Sequence, residues 1–126
     1  MESIHTDLAP EAIGTYSQAI KTGQTVYISG QISLNPQTMQ LCSKELPAQI
    51  EQVLENLSVI CEAAGGNLSN IVKLNVYLTD LTHFPLVNEA MTRYFTEPFP
   101  ARAAIGISAL PRNAEVEMDA VMVLPE

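Results

Sequence analysis

Positive charge is scarce in this chain. Six lysines and arginines stand against fourteen carboxylates, for a formal charge of −8. The six, Lys21, Lys44, Lys73, Arg93, Arg102 and Arg112, form no cluster. A field of that sign repels phosphate backbones, which argues against nucleic acid or an anionic membrane as a partner. Cysteine is scarce too: Cys42 and Cys61 form no CxxC pair, Cys61 falls on an apolar helical stripe and Cys42 in an expected turn. Both fit a reducing compartment. No run approaches the roughly 18 apolar residues of a membrane span. The opening segment MESIHTDLAPE is acidic and lacks the apolar stretch of a secretory signal. The expectation is a soluble, cytosolic protein.

Missing signatures narrow the chemistry. The two histidines, His5 and His83, are far apart and lack the helical pairing of a metal site. GxGxxG, Walker A and GxSxG patterns are absent, and no Ser–His–Asp arrangement is evident. Metal, nucleotide and triad-hydrolase chemistry thus have little support, and no cofactor is expected. An enzyme of this composition would work by positioning a water beside a substrate that is already reactive.

What is present suffices for one domain. The chain has 126 residues, 47% of them hydrophobic, yet a domain of this size buries only about two-thirds of its unfolded surface. Ile50, Val53, Leu54, Leu57, Ile60, Cys61 and Ala64 recur at helical spacing, with Pro47 suited to a first turn and Gly65-Gly66 to a stop. A second helix is expected from about Pro85 to Phe95, with Thr82 as its cap and Phe84, Val87, Met91 and Phe95 as its stripe. Alternation predicts strands around Thr25–Ser29, Val72–Thr79, Arg102–Ser108 and Glu115–Met122, with shorter ones at Ser17–Lys21 and near Ile4. Two helices can cover only one face of such a sheet. The expected fold is therefore an α+β sandwich of about six strands.

If the aliphatic set lies under the helices, the other face collects Tyr27, Ser29, Tyr77, Arg102, Ala104, Gly106 and Glu117. That mixture of aromatics, hydroxyls, small residues and opposite charges suits an interface carrying a site. Arg102 and Arg112 are the only charges between Pro98 and Ala114, and Arg102 is flanked by small residues. Two readings compete for Arg102. Its planar fork matches a ligand carboxylate, or it pairs with Glu117 or Asp119 across the sheet; pattern alone favours the pair. Glu115, Glu117 and Asp119 share one strand face, so one of them needs a special environment. Glu117 would place a water there, or serve as an edge charge that discourages aggregation. Tyr16 after Gly14-Thr15, Ser29-Gly30 at a strand end and Asn88 on the second helix would offer polar groups to a ligand, or would be packing residues already satisfied.

Taken together, the segments APEAIGTYSQAI, VYISGQI, EAAGG, IVKLNVYLTDL, FPLVN, PFPAR and EVEMDAV resemble the reactive intermediate deaminase family, the RidA or YjgF proteins, over nearly the whole length. The resemblance implies a chorismate-mutase-like α+β fold, a homotrimer with sites between subunits, and cofactor-independent hydrolysis of 2-aminoacrylate and related enamines and imines to 2-oxo acids and ammonia. It implies that Arg102 binds the substrate carboxylate and that Glu117 places the attacking water. Tyr16, Ser29, Gly30 and Asn88 would shape the pocket, and backbone near Ala104 would add hydrogen bonds. Many members have Gly-Pro-Tyr where this chain has Gly14-Thr15-Tyr16, and Cys where it has Ala104. The rival readings are a non-catalytic sensing or chaperone-like trimer, a chorismate mutase, which would call for more cations, and a ribonuclease, which sits badly with a charge of −8.

Overall fold

The computed structural model describes all 126 residues. Six strands and two helices follow the order β1 (Glu2–Ile4), β2 (Ala19–Thr22), β3 (Thr25–Gln31), α1 (Leu46–Ala63), β4 (Ile71–Leu78), α2 (Phe84–Tyr94), β5 (Ala101–Gly106) and β6 (Val116–Val123). The strands form one sheet in the order β1-β2-β3-β6-β4-β5. Only β4 and β5 run parallel, joined through α2; every other pairing is antiparallel. This is the α+β fold of about six strands that the alternation predicts, with the sheet mixed in direction. No helix is long and apolar enough to cross a membrane.

The first helix ends where its glycines require. Gly65 adopts φ +100°, its N–H bonds the Glu62 carbonyl, and the Gly66 N–H bonds the Cys61 carbonyl, both at 3.0 Å. A left-handed residue at this position closes the last turn at no steric cost only if it is glycine. The α1 stripe, Ile50, Val53, Leu54, Leu57, Ile60 and Cys61, is fully buried against Val26, Leu74, Val76, Met118 and Met122 of the sheet. Burial pushes the Cys61 thiol up to about 12, which fits its reading as core filler. Four buried amides stand among these apolar residues, and three of them, Gln18, Gln49 and Asn56, fix loops. Gln18 binds the backbone of Thr6 and Pro10, and Asn56 that of Ile32 and Leu34. Gln49 holds the N–H of Glu115 and so sets the entry to β6, while Gln31 reaches back to the Ser29 carbonyl.

Three expectations change. Thr82 does not cap α2: Asp80 accepts the Thr82 N–H at 3.0 Å and starts a short 3-10 turn, Leu81–His83, from which α2 continues. An aspartate directly ahead of the turn outcompetes a threonine inside it. Val72 leaves the aliphatic set and is 47% exposed, because the register with β6 slips between Ile71 and Lys73 and Ile71 takes the buried place. The third change concerns Arg102 and decides the architecture of the site.

Candidate functional site

Strand β5 lies at the sheet edge in parallel register with β4: Leu74 beside Arg102, Asn75 beside Ala103, Val76 beside Ala104 and Tyr77 beside Ile105. Neighbours in register share a face. Arg102, Ala104 and Gly106 therefore stand on the helix-covered side with Leu74, Val76 and Leu78. Ala103 and Ile105 join Tyr27, Tyr77 and Glu117 on the open side. The expectation of one shared face is wrong for β5. Its alternation is apolar or small in both phases, so the phase followed the neighbouring strand rather than any hydrophobic preference of its own.

Arg102 is accordingly held by α2. Its guanidinium lies 4.5 Å from the centroid of the Phe84 ring, and Nη1 donates to Asn88 Oδ1 at 2.6 Å and approaches Met91 Sδ at 3.4 Å. No carboxylate lies within 4.0 Å of it, whereas Arg93 is paired with both Glu51 and Glu89. The ion pair with Glu117 or Asp119 does not form. Stacking and one hydrogen bond fix the plane of the fork and leave Nε and Nη2 without a protein acceptor. The cavity here, about 420 Å³, is lined by Asn88, Met91, Thr92, Phe99, Pro100 and Arg102. Beside it runs a free strand edge. The Ile107 N–H bonds the Leu78 carbonyl at 2.9 Å, so by alternation the N–H and C=O groups of Arg102 and Ala104 point away from β4, at the unpaired edge. The Ala104 side chain packs on the core; its backbone is what faces outward.

Glu117 lies elsewhere, in a second cavity of about 300 Å³ whose walls include Ile13, Tyr16, Gly30, Met39 and Arg112. Its half-buried carboxylate has no hydrogen-bond donor and no cation within 4.0 Å. Burial first, and then the nearby Asp119 charge, push its pKa up. Gly30 makes the room for it: a Cβ on Gly30 would sit 2.6 Å from Glu117 Oε2. Of the two readings of Ser29, the bond its hydroxyl makes matches the satisfied packing residue. Its Oγ donates to the Ser17 carbonyl at 2.5 Å and ties β3 to the segment carrying Tyr16. Tyr16 itself is 53% exposed on the cavity wall.

Within one chain, then, Asn88, Arg102 and the β5 edge form one half of a candidate site, and Tyr16, Gly30 and Glu117 another. Sequence reading missed Phe84 as the platform for Arg102 and left Arg112 without a place. Arg112, at φ +61°, donates to the Met39 carbonyl at 3.0 Å on the rim of the Glu117 cavity, and Met39 is itself at φ +58°. Positive φ at two bulky residues bonded to each other signals a rim that the surrounding fold holds in place, a signal absent from residue spacing.

The family model described as endoribonuclease L-PSP matches residues 6–124. The chain belongs to that family, the YjgF/RidA proteins. A human relative named 2-iminobutanoate/2-iminopropanoate deaminase is 44% identical over 120 residues, 95% of this chain and 88% of that protein. The solved structure of RidA from an Antarctic Psychrobacter superposes with a TM-score of 0.95 at 51% identity, covering 98% of this chain and all of that one. TdcF from E. coli, solved with bound serine, superposes at 0.94 and 34% identity, covering 99% of this chain and 100% of that one.

Proposed function

We propose that this YjgF/RidA member is a hydrolytic deaminase of reactive enamine and imine intermediates such as 2-aminoacrylate, giving 2-oxo acids and ammonia at sites completed between subunits of a homotrimer. The observation that carries the reading is the unpaired, stacked guanidinium of Arg102. In a chain with fourteen carboxylates, an arginine oriented by an aromatic ring and an amide is set up for an anion that arrives from outside. The names of the human and other relatives supply the substrate class, and serine in TdcF is an amino acid of the right size.

The chemistry asks little of the protein. The carbon of an imine is already electrophilic, so the gain lies in orientation and proton transfer. Arg102 takes the substrate carboxylate in its fork, assisted by the backbone groups at the Arg102 and Ala104 edge. Glu117, from the neighbouring chain, accepts a proton from water as the water oxygen bonds to the imine carbon. That proton passes to nitrogen to give the carbinolamine; the hydroxyl proton then follows it by way of Glu117 as the C–N bond breaks, so that ammonia leaves and the carbonyl forms. Tyr16 and Gly30 shape the wall on the Glu117 side, Ser29 holds that wall by its bond to Ser17, and Asn88 orients Arg102. No cofactor enters this scheme. Association through the open face of the sheet, where Tyr27, Val123 and Ile105 are 53%, 40% and 48% exposed, would bring the two halves together. The endoribonuclease description of the family is the weaker reading for this chain, since its charge of −8 opposes a polyanion.

The test is a coupled assay in which a pyridoxal-phosphate-dependent dehydratase generates 2-aminoacrylate and ammonia release is followed. Wild-type protein should accelerate release, and Arg102→Lys should not. Equal acceleration by both would remove Arg102 from the reading, and no acceleration by wild type would end it.

A further inference from the structure

Glu117 has a neighbour that the scheme above does not use. Asp119 lies two residues along β6 on the same open face and is half-buried. Both of its carboxylate oxygens are engaged: Asn75 Nδ2 donates to Oδ1 at 2.7 Å, and the Tyr77 hydroxyl donates to Oδ2 at 2.9 Å. Both donors are neutral, and no cation lies within 4.0 Å. In register, Asn75 stands beside Asp119 and Tyr77 beside Glu117, so Tyr77 bridges diagonally from one acid to the other. The Asp119 bond also holds the Tyr77 hydroxyl protonated, as a donor. Such an arrangement fixes a carboxylate in place without cancelling its charge.

Few other groups face Glu117. Gly30 and, further along, Tyr27 come from β3, and Lys73 lies beyond Asn75 on β4. Across the cavity stand Glu11, Tyr16 and Arg112. We propose that Asp119, clamped by Asn75 and Tyr77, is a positioning residue whose fixed charge keeps the Glu117 carboxyl able to carry a proton between the attacking water and the leaving nitrogen. The inference rests on the role given to Glu117 in the proposed function. A carboxyl next to an uncompensated negative charge, in partly dry surroundings, exchanges its proton nearer to neutral pH, where such a transfer is most efficient. The direction of the Glu117 shift agrees, with burial the larger cause and Asp119 the second.

The measurement is a carbon-13 titration of the Glu117 side-chain carboxyl in the intact protein, assigned with Glu117→Gln, alongside the pH profile of kcat/KM. Asp119→Asn should lower the Glu117 midpoint by about half a pH unit or more and move the acid limb of the profile with it. Asp119→Glu should restore both. Tyr77→Phe, which leaves the charge but releases it toward solvent, should lower the midpoint by a smaller amount. An unmoved midpoint in folded Asp119→Asn overturns the role of Asp119. If that variant fails to fold, an unmoved midpoint in Tyr77→Phe does so. A midpoint that moves while Glu117→Gln keeps full turnover overturns the proton-carrying role itself, for both residues.

Discussion

Arg102 and Glu117 stand on opposite faces of the same sheet, Arg102 level with Leu74 beneath α2 and Glu117 level with Tyr77 on the open side. No side-chain rotation in one chain brings them to a common small molecule. A second copy does so if the open face of one sheet meets the free β5 edge of another.

Mixing two inactive variants tests that directly. Arg102→Ala and Glu117→Gln, co-expressed in equal amounts, should regain activity, because some interfaces pair an intact Arg102 with an intact Glu117. Random assembly would restore about a quarter of the wild-type rate. Two variants that stay inactive in a verified mixed oligomer would place the whole site within one chain.

Arg102→Lys keeps a positive charge but loses the planar fork, the Asn88 bond geometry and the stacking on Phe84. Deaminase turnover should fall on the order of 100-fold with unchanged circular dichroism. A loss below about threefold would show that charge alone is required.

Gly30→Ala should abolish most activity without unfolding the protein. The added Cβ would lie 2.6 Å from Glu117 Oε2, so the carboxylate must move, while β3 keeps its backbone bonds. A crystal structure with Glu117 unmoved, or full activity, would contradict this.

Stability should carry a matching pH signature. The Glu117 carboxyl is raised on folding, by burial and then by Asp119. A group raised on folding stabilises the native state while it is protonated, below the unfolded carboxylate value of about 4.3, and that contribution is lost as pH rises through the raised value. Glu117→Gln should therefore melt above wild type at about pH 8 and level with it at about pH 4. A Tm difference that is the same at both would show that charge plays no part.

The site was only partly legible because its parts depend on different information. Glu117 was placed correctly on the open face, since β6 alternates cleanly between Val116, Met118, Ala120 and Met122 and its polar residues. Arg102 was placed on the wrong face because Ala103, Ala104, Ile105 and Gly106 give β5 no dominant apolar side. Ser29 was left open between a ligand and a packing role, and only the fold shows that a backbone carbonyl twelve residues earlier takes its hydroxyl proton. The amides Gln18, Gln49 and Asn56 resemble surface residues by composition, and only the packed core turns them into loop anchors.

By itself, the sequence determined the two helices, the strands, the acidic charge that repels polyanions, and a family pattern naming Arg102 and Glu117. Those features rest on periodicity, composition and short-range turn chemistry, which act between near neighbours in the chain. Tertiary structure alone decided that Arg102 lies under α2 and Glu117 on the open side. The face a strand residue occupies is set by the register of the strand beside it, and for β5 that strand is β4, whose Leu74, Val76 and Leu78 are fully buried under the helices.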